Sequence, residues 1–169
     1  MNEWGMPTLY LESMLYNILK RMDEKGYFLP QVAITGGFTL EDHIFKGLAL
    51  GAPYIQFVAV GRAAMAAAMV GKQVGELIEA GNIPKEYQAF GSTKEEIFAC
   101  IRELKLYYDK AEDLPPGAVG VYSYISRLAA GVKQLMALNR KFDIKHIDRT
   151  DIYPLTDLAA GVTGLATYE

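Results

Sequence analysis

Two short apolar runs of this sequence each end at glycine, and a predicted helix begins directly afterwards. One run ends just before Gly36 and Gly37, and the other ends just before Gly61 and Arg62. Backbone amides in glycine turns and at helix N-termini favour anions, and phosphate is the commonest of these. An arginine beside such amides adds a charge-assisted contact. The pattern predicts two phosphate-binding loops, although glycine after a strand is also an ordinary turn residue.

Other kinds of chemistry find little support in the sequence. It contains neither the lysine-bearing phosphate loop nor the Gly-x-Gly-x-x-Gly pattern of nucleotide-binding proteins. Its single cysteine, Cys100, excludes an intramolecular disulfide and a multi-cysteine metal site, and it falls on an apolar helical stripe that predicts a buried thiol. His43 and His146 are accompanied by charged neighbours and are expected at the surface. We therefore expect no metal site.

Charge and composition disfavour two classes of partner, nucleic acids and membranes. The net charge of −3 and pI of about 5.5 disfavour a nucleic-acid binder that relies on a basic surface. The apolar segment 47–71 is interrupted by Pro53 and contains Arg62, so we do not expect a membrane span. Because the N-terminal residues carry no signal-peptide pattern, the expected location is the cytoplasm.

The first half of the chain alternates predicted helices and strands. Apolar residues recur at helical spacing between Leu11 and Met22, and Gly26 is the expected stop. The runs 32–34 and 54–60 lack polar alternation, which is typical of strands covered on both faces. Helices are predicted over about 40–50, capped by Thr39 and Asp42, and over 63–70. This order is typical of parallel α/β units.

Beyond Gly71 the strand pattern stops. Helices are predicted to end at Gly81, to start at the possible capping boxes of residues 92–96, and to cover about 121–141 and 151–161. A break is expected at 114–117. We therefore divide the chain into an α/β segment, residues 1–81, and a helical extension, residues 82–169.

Two parallel strands make a poor sheet because both outer edges stay unpaired. A complete (β/α)8 barrel takes roughly 250 residues, and this chain has 169. The expected fold is therefore the C-terminal fragment of a TIM barrel, with about two parallel strands and flanking helices, followed by an all-helical region. The sheet would be completed by another copy or by a missing part of a larger enzyme.

Several sequence motifs resemble the FMN-binding domain of the glutamate synthase family, and in particular its stand-alone prokaryotic members. The motifs that carry the resemblance are Asn2-Glu3-Trp4-Gly5-Met6-Pro7-Thr8, Ala33-Ile34-Thr35-Gly36-Gly37-Phe38-Thr39-Leu40-Glu41-Asp42-His43-Ile44-Phe45-Lys46, Leu48-Ala49-Leu50-Gly51-Ala52-Pro53, Gly61-Arg62-Ala63, Gly91-Ser92-Thr93 and Gly117-Ala118-Val119-Gly120. The resemblance covers nearly all of the chain, and it corresponds to the last two barrel strands of the family domain and the helices that follow.

The resemblance implies that Gly36 and Gly37 form the phosphate loop of the seventh strand, and that Gly61 and Arg62 form that of the eighth. Both loops would hold the FMN phosphate. The family reaction transfers glutamine-derived ammonia to 2-oxoglutarate, with reduced FMN delivering hydride. The earlier strands, the iron–sulfur cysteines and an N-terminal cysteine nucleophile are all missing from this sequence. We therefore expect a partial oxidoreductase domain without catalytic residues of its own and without activity alone.

A second hypothesis belongs to another class of function. Exposed strand edges and the apolar stripe of the first helix both favour association. The chain would then be a non-catalytic helical assembly module, with a homo-oligomer as the expected state. The other expected partners are the missing part of the barrel or other subunits of the parent enzyme.

Overall fold

The computed structural model describes residues 5–98, 100–110 and 113–167. Its helices and strands are α1 (Thr8–Glu24), β1 (Ala33–Thr35), α2 (Glu41–Gly51), β2 (Phe57–Ala59), α3 (Arg62–Glu79), α4 (Lys85–Gln88), α5 (Lys94–Ile97), α6 (Cys100–Leu104), α7 (Pro116–Leu138) and α8 (Asp157–Thr163), with 3-10 turns at Ile144–His146 and Arg149–Asp151. Trp4 and the side chain of Cys100 lie outside this description.

The described residues form a mostly helical α/β protein with one parallel sheet of two strands. The register pairs Ala33 with Phe57, Ile34 with Val58 and Thr35 with Ala59. This confirms the coarse fold prediction, while the assignment to a TIM barrel stays a prediction. Among the described residues, no helix combines the length and the apolar character needed to cross a membrane.

The chain divides into two compact units. The first combines residues 1–60 with residues 130–169, and the second consists of residues 61–129. The boundaries therefore fall just after β2 and within α7. The predicted division at residue 81 is based on secondary-structure content, and it stays a prediction.

The described residues of the first unit form two clusters of buried apolar side chains. One joins α1 to the sheet and contains Leu19, Ile34, Phe38 and Ile55. The other joins α2 to the end of α7 and contains Phe45, Leu48, Ala49, Val132, Met136 and Ile147. Helix α1 thus packs on the sheet, and the end of α7 packs on α2.

Within the part of the chain that the structure describes, only one face of the sheet is covered, which corrects the prediction of strands buried on both faces. Ile34 is buried, whereas its neighbours Ala33 and Thr35 are exposed. On β2, 54% of the surface of Phe57 is accessible. β2 has three residues and is shorter than the apolar run 54–60 that predicted it, whereas β1 is as long as the run 32–34 and begins one residue later.

The apolar stripe of α1 is divided between the core and the surface. Leu19 is buried and Leu15 packs against the same cluster. In contrast, Leu11, Met14 and Ile18 keep 47%, 53% and 46% of their surface accessible. Because the core lies on one side of the helix, half of the stripe is only partly covered by the described residues. Gly26 ends the helix region with a φ of 71°, as predicted.

The start of α2 differs from the prediction. Leu40 is the N-cap residue, and it makes no side-chain hydrogen bond to the helix. The Thr39 hydroxyl instead lies 3.3 Å from Nδ1 of His43. The favourable acidic groups at this end are Glu41 and Asp42 in the first turn, where they interact with the helix dipole.

In the second unit, α3 is one continuous helix, although two helices were predicted. Gly71 and Gly75 lie inside α3, where the missing side chains allow close packing against the start of α7. A Cβ atom on Gly71 would come within 2.7 Å of the Pro116 carbonyl oxygen, and one on Gly75 would collide with the Pro116 ring. Pro116 itself begins α7, where its missing N–H costs nothing, so the predicted break is confirmed at residues 114 and 115 and wrong at 116 and 117.

The remaining predictions for the helical region hold in part. Thr93 and Glu96 form the predicted capping box at α5, but the predicted single helix is divided between α5 and α6. The helix predicted over 151–161 is replaced by a 3-10 turn and by α8, which is capped by Thr156.

Candidate functional site

The Gly36–Gly37 loop follows β1 and has a backbone that favours glycine. The φ angles of the two residues are 130° and 79°. The Thr8 hydroxyl donates a 2.8 Å hydrogen bond to the Gly36 carbonyl oxygen, and a Cβ atom on Gly36 would collide with that hydroxyl. Around Gly37 there is open space within 4 Å. The first glycine is therefore required by packing, and the second leaves the backbone accessible.

The ends of the two strands lie side by side. Thr35 pairs with Ala59 in the register of the sheet. The Thr35 hydroxyl also donates a 3.2 Å hydrogen bond to the Ala59 carbonyl oxygen. The ends of β1 and β2 thus lie together at the carboxyl edge of one parallel sheet, which is where ligands of α/β proteins bind.

Gly61 and Arg62 belong to the second unit, and they begin α3. Gly61 is the N-cap residue, with a φ of −110° and no side chain to satisfy the first amides of the helix. A Cβ atom there would meet nothing within 4 Å. Arg62 is exposed, and the first turn of α3 contains no acidic residue. The N-terminus of α3 therefore presents free amides, a helix dipole and a cation to solvent.

A cavity of about 690 Å³ adjoins the Gly36–Gly37 loop within the first unit. Its walls are largely apolar and include Leu9, Phe38, Phe45 and Leu135. The polar lining residues are Thr8, Glu12, Asp42, His43, Lys46, Asn139, Asp151, Tyr153 and Thr163. The volume and the mixture of apolar walls with a few polar groups are typical of small-molecule pockets.

Glu12 is the most unusual polar group of this cavity. Only 2% of its surface is accessible, and its Oε1 atom has no hydrogen-bond partner. Burial raises the pKa of the Glu12 carboxyl to about 7, and the positive charge of Arg149 opposes this rise. An acid of this kind changes its charge near neutral pH, which is uncommon outside functional sites.

Arg149 lies close to Glu12, but its hydrogen bonds go elsewhere. Its guanidinium donates to the carbonyl oxygen of Leu50, at 2.6 Å, and to that of Thr163. It also lies 4.0 Å above the ring of Tyr16. Burial lowers the pKa of Arg149, and the nearby Tyr16 and Glu12 raise it. The arginine thus connects α1, α2 and α8.

A small ionic cluster holds the turn that carries Arg149. Lys141 contacts Asp148 at 2.8 Å and Asp151 at 3.4 Å. Hydrogen bonds from Lys141 and Thr150 lower the pKa of Asp148 to about 2. The Asp151 carboxyl in turn accepts the backbone N–H of Asp148, so the turn is closed at both ends.

Sequence reasoning missed Glu12 and Arg149. Glu12 lies three residues before Leu15 and seven before Leu19, so it shares their buried face of α1. An acid in that register is the signal that would have identified it. Arg149 is remote in sequence from the residues it contacts, and no local pattern indicates it. His43, expected at the surface, is half-buried in the cavity wall, whereas His146 is exposed as predicted.

No group of three or more His, Cys, Asp and Glu side chains in the described part of the chain is arranged to hold a metal ion.

Comparison with known proteins finds no matching family model, no matching curated protein and no matching solved structure. The resemblance to the glutamate synthase family therefore stays a prediction made from the motifs.

Proposed function

We propose that this chain is a phosphate-binding part of an FMN-dependent oxidoreductase similar to the glutamate synthase family. The observation that carries the proposal is the start of α3, where Gly61 leaves the first amides open and Arg62 supplies a cation. A phosphate monoester offers the charge and the acceptor oxygens that such a helix end favours.

The Gly36–Gly37 loop supports the same proposal by its own geometry. Its positive φ angles expose the backbone at Gly37, and it leaves the carboxyl edge of the sheet. The next helix, α2, begins with Glu41 and Asp42, which already complement its dipole. The stronger of the two anion sites is therefore expected at Gly61 and Arg62.

The residues fit the phosphate of FMN, and no described group is assigned to its ring. When bound in the parent enzyme, the flavin would supply the hydride that reduces the imine formed from ammonia and 2-oxoglutarate. With two strands, the described chain lacks most positions from which a barrel builds its substrate site. We propose that it binds the cofactor phosphate and does not turn over substrate alone.

The test is a titration of FMN followed by its fluorescence, using Arg62→Gln against the control Arg127→Gln. Both arginines are exposed and lie in the second unit. Loss of a charge-assisted contact is expected to weaken FMN binding about tenfold or more, because such bonds contribute about 1.5–3 kcal/mol. The control should bind like the parent chain. Equal affinity in both variants would remove Arg62 from the proposal.

A second candidate function, self-assembly, is favoured by the exposed face of α1. Leu11, Met14 and Ile18 lie on one side of the helix and are each about half accessible. We expect sedimentation velocity to show an oligomer that Met14→Lys dissociates and the neighbouring exposed change Asn17→Lys leaves intact. A monomer at all concentrations would exclude this function without affecting the phosphate proposal.

A further inference from the structure

We propose that the cavity beside Glu12 binds a small organic amine, with the buried Glu12 carboxylate as the partner of its ammonium group. The inference stands on the cavity itself and does not depend on FMN binding at either glycine loop. It concerns a ligand of opposite charge to phosphate.

The first argument is the unpartnered oxygen. Oε1 of Glu12 is buried and accepts no hydrogen bond, although a buried acceptor without a partner costs about 1–3 kcal/mol. Glu12 also lines a cavity of about 690 Å³, so a ligand has room to approach the carboxyl group. A donor placed there would remove that cost.

The second argument is the balance of charge in the cavity wall. Asp42 is paired with Lys46 at 2.7 Å, and Asp151 is paired with Lys141 at 3.4 Å. The N–H groups of Arg149 donate to the carbonyl oxygens of Leu50 and Thr163. The carboxylate of Glu12 is therefore the lining acid that lacks a bonded cation among the described residues.

The third argument is the chemistry of the remaining wall. Side chains such as Leu9, Phe38, Phe45 and Leu135 offer an apolar surface, which a hydrated metal ion cannot use. An amine with an aliphatic or aromatic body buries that body and brings its charge to Glu12. Burial of Glu12 holds its pKa at about 7, so the carboxylate is available at slightly alkaline pH.

The experiment uses phenethylamine as the probe and 2-phenylethanol as its neutral match, titrated calorimetrically at pH 8. The expected result is saturable binding of the amine, at least about tenfold tighter than that of the alcohol, as one added ion pair in a buried site implies. Equal binding of the two probes, or no saturable binding of the amine, would overturn the inference.

The matched variants are Glu12→Gln and Glu24→Gln, both on α1, of which only the second is exposed. Glu12→Gln keeps the shape of the side chain, and its affinity for the amine is expected to fall about tenfold, to that for the alcohol. Circular dichroism verifies that the variant is folded. Glu24→Gln should retain it. A carbon NMR titration of the Glu12 carboxyl gives an independent readout, because a bound amine must lower its pKa. An unchanged titration at saturating amine contradicts the proposal.

Discussion

The Gly36–Gly37 loop and the Gly61–Arg62 loop both follow a strand of the same sheet, yet their glycines serve different needs. Gly36 and Gly37 have positive φ angles, and Gly36 is closed off by Thr8. Gly61 has an ordinary negative φ and open space around it. The first loop therefore needs glycine in order to fold, and the second needs it only if something binds there. The sequence does not distinguish a glycine that the backbone conformation requires from a glycine that gives a ligand access to the backbone.

The surroundings of the two loops differ as well. The first loop borders a cavity that contains the buried acid Glu12, whereas the second opens a helix that presents Arg62 to solvent. In the first region, ionisation changes the stability of the fold. In the second, charge is available to a ligand at little cost to folding.

The largest expected effect concerns Glu12 and pH. Its carboxyl has a pKa of about 7 in the folded chain against 4.5 in the unfolded chain. Between these values the folded state holds a proton that the unfolded state has lost, so stability falls as pH rises from 4.5 to 7 and then stays level. The loss is on the order of 3 kcal/mol.

The measurement is urea unfolding as a function of pH for the parent chain and for Glu12→Gln. The free energy of unfolding of Glu12→Gln should not show this fall between pH 4.5 and pH 7. The stability of the variant relative to the parent chain should therefore increase from acidic to neutral pH. The other titratable or charged groups around Glu12 and its cavity are Tyr16, Asp42, His43, Lys46, Arg149, Asp151 and Tyr153, and all remain in the variant. Parallel pH curves for the two proteins would show that Glu12 is not the group responsible.

The next largest effect is a loss of stability that distinguishes the Gly36–Gly37 loop from the Gly61–Arg62 loop. Gly36→Val is expected to destabilise the chain by about 2 kcal/mol or more, because its φ of 130° is strained for any side chain and Thr8 blocks the Cβ. The comparison is by chemical denaturation. A Gly36→Val protein as stable as the parent chain would abolish the distinction between the two loops.

The smallest expected effect on stability is that of Gly61→Val. Its cost should stay near 1 kcal/mol or below, since the change fills open space and weakens only an N-cap position. The same variant should lose FMN binding because the β-branched side chain blocks approach to the amides. Gly5→Val, also in open space, is the control. Retained FMN affinity in Gly61→Val would show that access to these amides is not needed.

Sequence patterns predicted the local elements well and the tertiary details poorly. The order of α1, β1, α2, β2 and the start of α3 follows from periodicity and glycine stops. The sequence predicts a helix that ends at residue 70, but α3 continues through Gly71, and only the contact with Pro116 shows why this position is glycine. The exposure of Phe57 likewise depends on which elements cover the sheet, and the residues around Phe57 in the sequence carry no information about that packing.

The candidate site was predictable to a similar extent. Both glycine loops were identified from their position after apolar runs, because strand ends and helix starts are local features. The cavity was not predicted, since it is built from α1, α2 and the segment around Arg149, more than a hundred residues away from α1.

The proposal of a phosphate site is tested most directly by comparing FMN with riboflavin, which has the same ring and no phosphate. Saturable FMN binding that exceeds riboflavin binding by about tenfold or more, and that inorganic phosphate displaces, is the predicted result. Equal affinity for FMN and riboflavin, or no binding of FMN by the folded protein, would contradict a phosphate site at the Gly36–Gly37 loop and at the Gly61–Arg62 loop.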